Sequence, residues 1–125
     1  MKTKRIKVEI RNLDDVLKEA GEVMKDLAEG RKVEPKEPTV VFQDLKTMRR
    51  VLSEKRLELL RAIRRHRPSS VYELAKLLNR SLRSVQYDVK VLSELGFLEL
   101  EKTSDRRTRS IPRVPYEKMV FEVAV

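Results

Sequence analysis

Between Ser81 and Lys90 the sequence reads S-L-R-S-V-Q-Y-D-V-K. Ser81, Arg83, Ser84, Gln86, Tyr87 and Lys90 bring together a guanidinium, a carboxamide, an ammonium and three hydroxyls. That set suits a nucleic acid. Arginine can bond bidentately to guanine and glutamine to adenine, while hydroxyl and ammonium groups hold phosphates. A second cluster, Arg106, Arg107 and Arg109, lies in the turn-forming stretch S-D-R-R-T-R-S, with Asp105 as its nearby opposing charge. Arginines on such a turn can follow a phosphate backbone or enter a narrow minor groove. Ser69, Ser70 and Tyr72 form a third set, at the start of a helix whose free N–H groups can bind a phosphate. The same serines can also serve as plain helix caps.

Catalytic chemistry finds little to work with. The chain has no cysteine and one histidine, His66, at an arginine-crowded helix end. Thiolate metal sites, disulfides and cysteine nucleophiles are excluded. Gly21, Gly30 and Gly96 stand apart, so no glycine-rich phosphate loop exists. Asp14 and Asp15 open a helix, where acids favour the dipole, and Glu99 and Glu101 share a strand face without a supporting base. The expectation is a protein that is not an enzyme, with no cofactor and no metal site.

The charge balance points the same way as the first clusters. The 125 residues carry 29 basic and 20 acidic side chains, a net of +9. Residues 53–113 hold 15 of the basic and 8 of the acidic groups, so most of the surplus falls in one segment. A dense charged surface of thermophilic style would explain the density of charge but not its sign; a basic segment favours a polyanionic partner. No apolar run approaches the roughly 20 residues of a membrane span, and no leader pattern follows the basic N-terminus, so a cytoplasmic setting is expected.

Several elements must position these groups. Ile6, Val8 and Ile10 alternate with charged residues as in a strand. Asn12 caps a helix with Leu13, Val16, Leu17, Ala20, Val23, Met24 and Leu27 at helical spacing, and Gly30 ends it. Lys32–Pro38 reads as a linker. Val40–Phe42 is a short apolar strand or an extended run, and Asp44 can cap a short helix through Leu52. Ser53, Ser70 and Ser81 then cap three further helices, the second through the capping box S-V-Y-E. In the last, Leu82, Val85, Val89, Leu92 and Leu95 form an apolar stripe and Gly96 is the stop. Alternation returns in F-L-E-L-E-K, in Ile111–Val114 and in the terminal Met119–Val125 stretch.

Helix, helix, helix, strand, basic turn, strand, with only Asn79–Ser81 between the second and third helices, is the grammar of a winged helix-turn-helix. In that motif the third helix enters the major groove. Its stripe must face the core, which leaves Arg83, Ser84, Gln86, Tyr87 and Lys90 outward. Asp88 is a misfit there, ranked as structural through a pairing with Lys90 or a neighbouring helix. The fold class expected is α+β, mainly α: a winged helix-turn-helix over residues 40–125, with a strand-helix extension and linker over residues 1–39.

The segment E-L-A-K-L-L-N-R-S-L-R-S-V-Q-Y-D-V-K-V-L-S-E-L-G, with V-P-Y-E-K-M-V-F-E-V after it, resembles the small predicted transcriptional regulators of archaea and bacteria. These are grouped with winged helices of the multiple-antibiotic-resistance-regulator and arsenic-repressor type. The resemblance spans roughly residues 40–125. It implies a homodimeric repressor on double-stranded DNA. The recognition-helix role then passes to Ser81, Arg83, Ser84, Gln86, Tyr87 and Lys90, and the wing role to Arg106, Arg107 and Arg109. Some members of the group accompany a small toxin, so a toxin partner is a further expectation. Metal sensing does not carry over, because its Cys or His clusters are missing. Dimer contacts are expected from residues 1–30 and the terminal strand. The rival readings are an antitoxin-type interaction module that regulates its own operon, and a non-specific architectural or RNA-binding winged helix.

Overall fold

The computed structural model describes residues 4–33, 37–103 and 110–123. Within them lie five helices and five strands, an α+β arrangement, in two compact units.

One unit takes residues 5–51 and 119–125. Strand β1 (Arg5–Ile10), helix α1 (Leu13–Ala28) and strand β2 (Thr39–Phe42) form a β-α-β crossover, because β1 and β2 run parallel with Val8 opposite Val40 and Ile10 opposite Phe42. Helix α2 (Leu45–Val51) follows, capped by the Asp44 carboxylate, which accepts the Thr47 N–H at 2.7 Å. Strand β5 (Lys118–Val123) completes a sheet of order β2-β1-β5. The period-two pattern of β1 has its expected result: Ile6 and Val8 are buried, as are Val40 and Phe42 of β2. The other face, with Lys7, Glu9, Thr39 and Val41, fronts a cleft of about 1000 Å³ that α1 lines with Val16, Ala20, Val23 and Met24. The Asn12 side chain accepts the Asp15 N–H at 2.9 Å, as the sequence suggested for the start of α1. Yet no residue of α1 is buried.

The other unit takes residues 1–4 and 52–118. It contains helices α3 (Glu54–His66), α4 (Val71–Leu78) and α5 (Leu82–Leu95), then strands β3 (Glu99–Lys102) and β4 (Ser110–Arg113). Its core draws Leu59, Leu60 and Ile63 from α3, Leu74 and Ala75 from α4, and Val85, Val89 and Leu92 from α5, with Phe97, Leu98, Pro68 and Pro112. Each of the larger side chains contributes about 1.5–3 kcal/mol through burial. Strands β3 and β4 pair antiparallel, Leu100 opposite Pro112. Proline fits here because both strands of a two-stranded sheet are edges, so its missing N–H costs no central ladder bond.

The boundary between units differs from the one read at residue 39. Strand β2, helix α2 and the terminal strand group with β1, because parallel pairing to β1 and the far edge of the same sheet tie them there. Pairing across some thirty residues leaves no local mark in composition.

Candidate nucleic-acid interface

Helix α4 starts where the capping chemistry requires. Ser70 Oγ accepts the Glu73 N–H at 3.0 Å. The Glu73 carboxylate reaches back one residue beyond the cap, to Ser69, whose backbone N–H donates to it at 2.9 Å and whose hydroxyl also donates to it. Those bonds hold the Glu73 carboxyl below its ordinary value. Ser69 is therefore already engaged by an acid, while Ser70 uses an oxygen lone pair and keeps its proton to give. Tyr72 projects from the first turn, largely exposed, with Lys76 Nζ 4.7 Å from its ring centroid.

The turn into α5 is short and specific. Asn79 adopts a left-handed conformation at φ 52°, ending α4, and its N–H donates to the carbonyls of Ala75 and Lys76. Ser81 Oγ then accepts the Ser84 N–H at 3.2 Å to start α5. Gly96 closes the helix at φ 89°, a conformation glycine adopts without a Cβ penalty.

Along α5, Val85, Val89 and Leu92 face inward. Arg83, Ser84, Gln86, Tyr87 and Lys90 lie on the exposed face. Leu82 departs from the expected stripe, at 38% exposure, and Asp88 takes a core position, only 7% exposed. Of the two pairings the sequence offered Asp88, the one with a neighbouring helix forms and the one with Lys90 does not: Arg56 Nε of α3 donates to it at 3.0 Å, and Arg80 Nη2 at 2.7 Å. Arg80 Nη2 also donates to Ser84 Oγ at 2.7 Å. Arg56 lies 5.9 Å from the Tyr87 ring centroid, so it braces an exposed aromatic residue while it holds a buried carboxylate.

These elements enclose a groove of about 610 Å³. Ser70 and Tyr72 of the α4 start line one wall, Gln86 and Lys90 of α5 another, and Leu100 of β3 and Ser110 of β4 a third. Two of the sequence-derived clusters thus meet in one concavity. Ser69, Ser81, Arg83, Ser84 and Tyr87 do not line it. Arg106, Arg107 and Arg109 fall between β3 and β4 but lie outside the described residues. Sequence reasoning missed Arg56, Arg80 and Lys76. The available signal was Asp88 itself, an acid three residues after Val85 on an inward face, which demands a cation from elsewhere.

Among the described residues no group of three or more His, Cys, Asp or Glu is placed to hold a metal ion, and no helix is long and apolar enough to cross a membrane.

A basic helical segment closed by a two-stranded sheet, with an exposed polar helix face, defines the class of this unit. Residues 51–121 match the model of the HVO_A0114 family, more than half of the chain, and the protein belongs to that family. The match takes in all of α3 to β4, and leaves β1, α1 and β2 outside it. Among curated proteins none matches the chain.

Proposed function

We propose that the protein is a sequence-specific, double-stranded-DNA-binding transcriptional regulator of winged helix-turn-helix type, acting as a dimeric repressor in the cytoplasm. The observation that carries this reading is the shared groove of Ser70, Tyr72, Gln86 and Lys90. It sets phosphate-holding groups beside base-reading ones, as a duplex needs on the flank and floor of its major groove. The outward face of α5 adds Arg83. The segment 53–113 supplies the positive field that draws in a polyanion. In this reading α5 is the recognition helix, β3 and β4 bear the wing with Arg106, Arg107 and Arg109, and Ser70 and Tyr72 hold the backbone.

Selection of bound duplexes from a random pool, followed by sequencing, tests it. The expected result is a near-palindromic consensus with half-sites about one helical turn apart. Recovery of unenriched sequence, with affinity set by salt alone, would overturn it in favour of a shape-reading nucleic-acid binder.

A further inference from the structure

Helix α1 carries an apolar stripe that the described residues leave exposed. Leu13, Leu17, Ala20, Met24 and Leu27 follow one another at spacings of 4, 3, 4 and 3 residues. That is the repeat of a helix-to-helix seam. The side of α1 turned towards the sheet carries Val16, Glu19 and Val23, half-buried, and the stripe adjoins it at Ala20 and Met24, which line the edge of the cleft over the sheet. The seam residues stay open: Leu13 is 62% exposed, Leu17 59%, Met24 70% and Leu27 60%. An amphipathic helix normally buries such a stripe.

Gly21 borders the middle of this stripe. Glycine inside a helix costs about 1 kcal/mol against alanine. A Cβ built at Gly21 meets nothing within 4 Å, so nothing among the described residues calls for glycine there. Close approach of a second helix backbone would.

The charges select the occupant. At 3.6 residues per turn, Asp14, Gly21 and Lys25 fall along one border of the stripe, seven and four residues apart. The midpoint of the stripe is Ala20. A second α1 laid antiparallel about that midpoint sets Leu13 against Leu27, Ala20 against its own counterpart, and Asp14 beside Lys25 of the other copy. A parallel arrangement would set this border against the opposite one, of Val16, Glu19 and Val23, and bring neither Asp14 nor Lys25 to the other. The face is thus complementary to itself under a two-fold rotation, the requirement for a closed pair.

We infer that α1 is a self-association surface, on which a second copy of this chain docks its own α1 antiparallel, with the crossing at Ala20 and Gly21. The inference assigns a partner surface and a geometry to a helix outside the matched family region; it rests on the dimer of the proposed function for its partner but on α1 alone, not on DNA binding, for its geometry.

The full chain tests it by sedimentation equilibrium. Wild type should be a dimer. Leu17→Glu or Met24→Glu should raise the dissociation constant at least about 100-fold, because each change enters a two-fold interface twice. Far-UV circular dichroism should be unchanged, since both side chains are exposed. Gly21→Leu favours the helix yet should weaken the pair. Asp14→Lys should weaken it too, and Asp14→Lys with Lys25→Asp should restore it; a parallel pair would answer to neither. The chain lacks cysteine, so Ala20→Cys should form an interchain disulfide on oxidation while Leu13→Cys should not. A monomeric wild type, or a dimer indifferent to these changes, overturns the inference and gives the face to a different partner. A chain that dimerises through α1 but selects no duplex would overturn the DNA reading alone.

Discussion

Asp88 Oδ1 accepts the Nε–H of Arg56 at 3.0 Å, a bond that ties α5 to α3 across 32 residues of chain. With Arg80 Nη2 on Oδ2 at 2.7 Å, it makes a three-member ionic cluster under the exposed face of α5. A carboxylate with so little solvent access is tolerable only with such partners. Asp88→Ala strips Arg56 and Arg80 of that partner and should cost about 3–5 kcal/mol in urea unfolding. Asp88→Asn keeps an acceptor and should cost less. Equal stability of all three proteins would show that the cluster does not hold the helices.

Arg83 and Lys90 sit on the same exposed face but have different expected roles. Arg83→Ala should leave stability within about 0.5 kcal/mol. It should lose about 1–3 kcal/mol on the selected duplex and relax preference at one base pair. Lys90 lines the groove with Ser70 and Tyr72, and Lys90→Ala should weaken every duplex alike and flatten the salt dependence by about one ion. Titrations at several salt concentrations separate the two. Matching losses on every sequence from both variants would dismiss this division of labour.

The elements that carry these side chains were legible because their signals are local. Asn12, Ser53, Ser70 and Ser81 are caps that bond a backbone N–H three residues on, and Gly96 stops α5 by its own φ. What could not be read depends on distant partners. Val40–Phe42 looks like any short apolar run until β1 lies beside it. Asp88 occupies a core slot only because Arg56 and Arg80 reach it. The stripe of α1 shows amphipathicity, but periodicity alone does not say which face the sheet will meet.

Acid and base should each erode the sheet unit, by opposite logic. Burial alone would raise the pKa of Glu9, but ion pairs with Lys7 at 3.0 Å and Arg11 at 3.4 Å outweigh it and hold the carboxyl below its ordinary 4.5. Lys7 bonds Glu122 at 2.8 Å and Glu9, which holds it above its ordinary 10.5. The Glu9 contribution is complete above pH 4.5 and is lost as pH falls through the lower folded value. The Lys7 contribution is complete below pH 10.5 and is lost as pH rises through the higher folded value. Thermal unfolding from about pH 2.5 to 6 should show a decline on the acid side that Glu9→Gln makes shallower. Parallel acid profiles for both proteins would remove Glu9 from the account.

Glu73 occupies the very helix start that a phosphate would approach. Its carboxylate takes the N–H and hydroxyl of Ser69, and those bonds hold it ionised to lower pH than an ordinary glutamate. Ser70 and Tyr72, the neighbours assigned to the DNA backbone, stand within three residues of it. On the DNA reading, Glu73 would repel the partner that its neighbours hold, while it helps α4 to start. Glu73→Gln removes the charge and keeps an oxygen for Ser69, so duplex affinity should rise several-fold at low salt and the gain should fade as ionic strength climbs. Ser70→Ala works the other way: it costs about 1 kcal/mol of cap stability and weakens all duplexes. Fluorescence anisotropy at two ionic strengths, with a denaturation curve for each variant, separates the charge effect from the capping effect. A Glu73→Gln protein that binds no more tightly at low salt would mean that the DNA backbone does not pass the start of α4.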